Sequence, residues 1–161
     1  MRNRRAPEPF RVEDSFAYLI YRNARLLRYH FMHFTAGLEL EISQEQFFIL
    51  NKLGENPGQS QTELGDDILA DRPNITRMIA TMEANGWLRR KLDPSDARRF
   101  QVTLTRKGAL IQQRIRDAIV EERERLSAGL TEQEISDLRR ILAKMELNVM
   151  ALIDSDPSES T

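Results

Sequence analysis

The sequence predicts a mainly α-helical chain with one small β-hairpin. Three observations carry that expectation. Apolar residues recur at intervals of three, four, seven and eight over most of the chain, Ser/Thr-x-x-Glu/Gln boxes begin at Ser43, Ser60 and Thr131, and period-two alternation is confined to the stretch beside Asp93 and Pro94. The chain of 161 residues, 40% of them apolar, is long enough for one independently folding domain. That domain is expected over 11–153, between a flexible basic tail at 1–10 and a disordered acidic tail, DSDPSEST, at 154–161.

Val12, Phe16, Leu19, Ile20, Leu26, Leu27, Phe31 and Phe34 make the apolar stripe of a long first helix, with Arg22, Arg25 and Arg28 on its wetter side. TAGLELEI breaks it at Gly37. Ser43 with Gln46 forms a capping box, and Ile42 with Phe47 can staple it, so a second helix is expected from Ser43 to Leu53, stopping at Gly54. Asn56, Pro57 and Gly58 turn the chain. Ser60 with Glu63 then starts a short helix carrying Leu64, Ile68 and Leu69. Asp71 can cap the next helix, whose first turn tolerates Pro73 because early helical N–H groups have no internal partner. Ile75, Met78, Ile79 and Met82 share one face of that helix, and Gly86 ends it.

LRRKL and FQVTL flank a seven-residue connection, DPSDARR, and read as the two strands of a hairpin. Thr105 can cap a long helix bearing Leu110, Ile111, Ile115, Ala118, Ile119 and Leu126, closed by Gly129. Thr131 with Glu134, stapled by Leu130 and Ile135, opens a last helix with Leu138, Ile141, Leu142, Met145, Val149 and Leu152 inward. Two short helices joined tightly and followed by a basic hairpin make a winged helix-turn-helix core, expected at 43–105. The helices at 11–35 and 106–153 carry more apolar surface than such a core can cover, which predicts pairing with a second copy about a two-fold axis.

Charge is distributed unevenly. Between Arg72 and Lys107 stand nine Lys/Arg and three Asp/Glu, an excess of six positive charges on a chain whose net charge is −1. A basic island on an acidic body is drawn to polyanions. A helix fits the major groove of duplex DNA, about 12 Å wide, if short polar side chains and arginines reach base edges. Arg72, Pro73, Asn74, Thr76, Arg77 and Thr81 supply that set: Asn74 suits adenine, Arg77 guanine or phosphate, and Thr76 phosphate or a thymine methyl. Arg89, Arg90 and Lys91 are expected at phosphates. Arg98, with Arg99 and the nearby Asp96 in the hairpin connection, suits a narrow minor groove.

The absence of cysteine excludes disulfides, thiolate catalysis, thiol redox sensing and Cys-ligated zinc. With no basic-then-apolar leader and no apolar run of about 18 residues, a soluble cytoplasmic protein with no membrane segment is expected. Asp66, Asp67, Asp71, His30 and His33 are the candidate acid–base groups, and none stands in a nucleophile or metal-ligand motif, so neither an enzyme nor a cofactor is expected. A winged helix used only for protein contact is the alternative to a DNA-binding one.

ELGDDILADRPNITRMIATMEANGWLRRKLDPSDARRFQVTLTRKG resembles the core of the MarR family of bacterial transcriptional regulators, most specifically in the wing, DPSDAR followed by VTLTRKG, and in MEANGWLRR. The resemblance implies a dimer built from the terminal helices, a recognition helix from Pro73 to Asn85, and Arg98 as the wing arginine held by Asp96. Ala97 and Arg99 depart from the family's habit of arginine and a small residue at those places. It further implies a repressor acting on a pseudo-palindromic operator and released by a small, often phenolic or aromatic, molecule bound between the dimerisation helices and the winged helix. Tyr18, Tyr21, His30, His33, Phe34 and Phe47 offer aromatic lining for such a site.

Overall fold

The computed structural model describes residues 11–92 and 100–155. A 3-10 turn over Val12–Asp14 precedes helix α1, Phe16–Gly37. Val12, expected in the first helix, lies in that turn because Ser15 takes an extended conformation and begins the helix after it. Helix α1 closes through Glu39, whose φ of 54° lets the Leu40 N–H reach back to the Thr35 carbonyl at 2.9 Å.

Helix α2, Gln44–Glu55, starts at the Ser43 capping box, where hydroxyl and Gln46 amide satisfy one another's backbone N–H groups. Ile42 and Phe47 beside it are both buried. The helix does not stop at Gly54. Gly54 sits in its last turn, where the missing side chain leaves room for the Gln112 amide, and the turn is closed by Asn56 N–H to Lys52 C=O at 2.7 Å.

Helix α3, Gln61–Asp67, opens on the Ser60 and Glu63 box. Leu64 is fully buried, but Leu69 is not part of the helix or the core: it stands at φ 53° and is 85% exposed. The Ala70 N–H bonds back to Gly65 and the Leu69 N–H to Asp66, so Leu69 occupies the left-handed closing position usually given to glycine. Helix α4, Arg72–Ala84, follows at once, capped by Asp71. Gly86 closes it at φ 72°, allowing Trp87 N–H to bond Met82 C=O at 2.9 Å.

Strands β1, Leu88–Leu92, and β2, Phe100–Leu104, pair antiparallel with Leu88 opposite Leu104, Arg90 opposite Val102 and Leu92 opposite Phe100. The other edge of β2 is covered by the α2–α3 connection, through Gly58 N–H to Val102 C=O and Val102 N–H to Gln59 C=O. Val102 is therefore buried, whereas Phe100, on the same face, is half exposed at the outer end of the hairpin. Helix α5, Arg106–Leu126, and helix α6, Glu132–Asp154, complete the chain.

Two compact units meet within α5, between Asp117 and Ala118. The first contains the core, with Ile49, Leu50, Leu53, Leu64, Ile79, Met82, Val102 and Ile115 fully buried. The second comprises the end of α5, a turn at Gly129 and α6, started by the Thr131 and Glu134 box. No residue of α6 is buried, so the inward stripe expected at Leu138, Ile141, Leu142, Val149 and Leu152 faces outward in the single chain, as do Leu110 and Leu126 of α5. Asp154, expected to open the acidic tail, completes α6 instead. Among the described residues no helix is long and apolar enough to cross a membrane.

Candidate nucleic-acid interface

Helix α4 is anchored on one side and open on the other. Ile75, Ile79 and Met82 are buried, while Arg72, Pro73, Asn74, Thr76, Arg77 and Thr81 are all exposed. The Asp71 carboxylate accepts the Asn74 N–H at 2.7 Å, fixing the first turn and leaving the Asn74 side chain outside the helix's own bonding. Thr76 accepts from the Gln61 amide at 3.5 Å, a link between the two helices of the helix-turn-helix. The Thr81 hydroxyl donates to the Arg77 carbonyl at 3.0 Å, so its proton is engaged within its own helix. Arg72 and Arg77 make no ion pair among the described residues.

The hairpin cations divide. Lys91 is exposed, and Arg89 is exposed while donating through Nε to Thr103 Oγ1 at 3.2 Å. Arg90 is committed to α4: its Nη2 lies 2.5 Å and its Nε 2.8 Å from Glu83 Oε2, and its backbone N–H reaches Glu83 Oε1 at 3.2 Å. The Arg90 hydrogen bond holds the Glu83 carboxyl below the usual carboxylate range. Lys107 donates to the Asn85 carbonyl at 3.0 Å and closes the end of α4. Thr105 donates to the Gly86 carbonyl at 2.6 Å and accepts the Gly108 N–H at 3.1 Å, so one hydroxyl ties the end of α4 to the start of α5. Sequence reasoning passed over Glu83 and Lys107 as site residues. The signal for Glu83 was its place as the one glutamate between Arg72 and Lys107, seven residues before Arg90. The wing residues Asp96, Arg98 and Arg99 lie outside the described residues.

The six aromatic candidates are dispersed. Phe47 is buried, its ring 5.5 Å from that of Phe31, and Phe34 lies 6.2 Å from the same ring, an ordinary core cluster. His33 is exposed with its ring edge-on to Tyr29 at 4.4 Å, and Tyr18 and His30 are half-buried. Tyr21 lines an open groove of about 490 Å³ along α1 with Arg25, Arg28, Tyr29 and Met32, and Arg25 donates to its hydroxyl at 2.9 Å. A second cavity, about 400 Å³, was not anticipated. It lies between α1, α2 and the helix-turn-helix corner, lined by Leu27, Arg28, Phe48, Ile68, Leu69 and Asn74 among others, with the Arg28–Glu45 ion pair at its edge. Among the described residues no group of three His, Asp or Glu is placed to hold a metal ion.

Residues 42–100, which hold α2 to the first residue of β2, match the model of the MarR family. The transcriptional regulator SlyA is 28% identical and superposes with a TM-score of 0.75 over 84% of this chain and 94% of its own. The transcriptional repressor CouR, solved on a 23-mer DNA duplex, is 26% identical with a TM-score of 0.77 over 88% of this chain and 99% of its own. A probable transcriptional regulator from Pseudomonas aeruginosa is 25% identical with a TM-score of 0.76, covering 84% and 99%.

Proposed function

From the match of residues 42–100 to the model of the MarR family, we infer a transcription regulator that binds duplex DNA as a two-fold dimer and represses the promoter it occupies. The observation that carries this reading is α4, a capped helix with three buried apolar anchors and an exposed outer face of Arg72, Asn74, Thr76 and Arg77 turned to base edges. The likeness to CouR, solved on a 23-mer DNA duplex, supports DNA as the partner. Asn74 and Arg77 read bases, Arg72, Arg89 and Lys91 hold phosphates, and the connection bearing Asp96, Arg98 and Arg99 enters the minor groove. The exposed apolar stripes of α1 and α6 support pairing with a second copy, which sets two recognition helices about one helical turn, roughly 34 Å, apart.

Release is by a small aromatic anion in the cavity between α1, α2 and the helix-turn-helix corner. Phe48 and Leu27 offer it apolar contact and Arg28 a counter-charge, and Asn74 in the same lining connects occupancy to the recognition helix. The test is selection of duplexes from a random-sequence pool, repeated with a panel of aromatic acids. A pseudo-palindromic consensus whose complex dissociates with one acid is expected. Recovery of no sequence, with affinity indifferent to salt, rules out the DNA reading; a consensus that no acid releases rules out only the effector.

A further inference from the structure

We propose that Glu83 and Arg90 are a positioning pair: Arg90 acts through Glu83 to fix the hairpin against the recognition helix and is not a phosphate ligand. The inference rests on the DNA-binding reading above.

The geometry carries it. One carboxylate grips residue 90 twice, through the guanidinium on Oε2 and the main-chain N–H on Oε1. A guanidinium fork held on two nitrogens has little freedom to swing to another anion. Arg90 sits opposite Val102, and Val102 is bonded on its other side to Gly58 and Gln59, so the grip reaches the whole hairpin. A second tie, from Thr105 to the Gly86 carbonyl, holds the same corner from the β2 side. Two ties at separate points fix an angle where one leaves a hinge. Leu92, paired with Phe100, stands two residues and about 7 Å of strand beyond Arg90, so a rotation at Arg90 is carried to the outer end of the hairpin. Contacts made by helix and wing together demand that angle in advance.

The two side chains are 35% and 32% exposed, within reach of solvent screening, so the pair adds little to folding stability and its variants are expected to fold. The sign of one substitution separates the readings. Glu83→Ala removes a negative charge from a DNA-facing surface, which by charge alone tightens binding. Positioning instead predicts weaker binding.

The experiment measures affinity of the full chain for a duplex selected from random sequence, across a series of salt concentrations, for the unaltered protein and for Glu83→Ala, Arg90→Gln and Arg90→Lys. Thermal melts confirm that each variant is folded. We expect about a five-fold loss for all three, with the slope of log affinity against log salt unchanged. Tighter or equal binding by Glu83→Ala overturns the proposal, as does a slope that falls by about 0.9 per phosphate in Arg90→Gln and is restored in Arg90→Lys, the mark of a phosphate ligand. If the unaltered protein shows no salt-dependent affinity, the DNA reading itself falls and the inference with it.

Discussion

Gly108 packs against the carbonyl oxygen of Trp87 so closely that a methyl group built on it would overlap that oxygen. The obstacle is backbone, which cannot swing aside as the end of a side chain can. Gly108→Ala must therefore part the first turn of α5 from the end of α4, taking with it the Thr105 bonds to Gly86 and Gly108. We expect a loss of about 3 kcal/mol, at the upper end for overpacking, seen as a lower urea midpoint. Duplex affinity should fall with it, because those bonds hold the recognition helix.

The helix starts were legible because their chemistry is local. Ser43, Ser60, Asp71 and Thr131 each accept the backbone N–H three residues on, as the sequence spacing implied. Helix ends were less legible. Gly54 resembled a stop, and only the distant Gln112 explains why the helix passes through it. Leu69 resembled a core leucine, and its left-handed backbone follows from how tightly α4 must follow α3. For the site, the exposed face of α4 could be read from periodicity, because apolar and polar residues alternate with the helical turn. The commitment of Arg90 to Glu83 could not, since it depends on where Gly86 turns the chain.

Leu69 carries its own prediction. A leucine held at φ 53° costs about 1–2 kcal/mol relative to a right-handed conformation, and at 85% exposure it recovers little by burial. Leu69→Gly should therefore raise stability by about 0.5–1 kcal/mol despite the extra freedom it gives the unfolded chain. An unchanged or lower urea midpoint would show that the side chain stabilises the fold through packing around the neighbouring cavity.

Asn74 and Arg98 should fail differently. Asn74→Ala leaves the Asp71 cap intact, since that cap uses the main-chain N–H of residue 74. It should relax preference at particular base pairs by about 1–3 kcal/mol in a competition between duplexes. Arg98→Ala should weaken all duplexes alike and flatten the salt dependence by about 0.9 for each phosphate the arginine neutralises. Unchanged affinity of Arg98→Ala at physiological salt would remove the wing from the interface.

Acid should unfasten specific bonds. The Thr131 backbone N–H holds the Glu134 carboxyl below its usual range, and Gln133, then Arg140, do the same for Asp137. A carboxyl lowered by folding stabilises the native state above its unfolded pKa, about 4.3 for Glu and 3.9 for Asp, and that contribution is lost as pH falls through the lowered folded value. The stability difference between the unaltered chain and Glu134→Gln should therefore be full at neutral pH and shrink only below about pH 4. A difference that persists undiminished into stronger acid would place its origin in packing instead of charge.

The last prediction concerns the outward stripe of α6. Leu138, Ile141, Leu142, Val149 and Leu152 are between 41% and 70% exposed, and Phe16, Leu19, Leu26 and Leu27 of α1 between 45% and 67%. Apolar surface on that scale is ordinarily covered in solution. Burying one leucine is worth about 2 kcal/mol, and a two-fold interface uses each position twice, so a charge at one site acts on both copies. Leu142→Glu places carboxylates from two chains into the pairing surface, at a cost of several kcal/mol if they meet. Light scattering should report twice the chain mass for the unaltered protein and the single mass for Leu142→Glu, with duplex affinity reduced because the two recognition helices are no longer joined. A single mass for the unaltered protein at working concentration would eliminate the dimer, and a variant that stays dimeric would move the interface off this stripe.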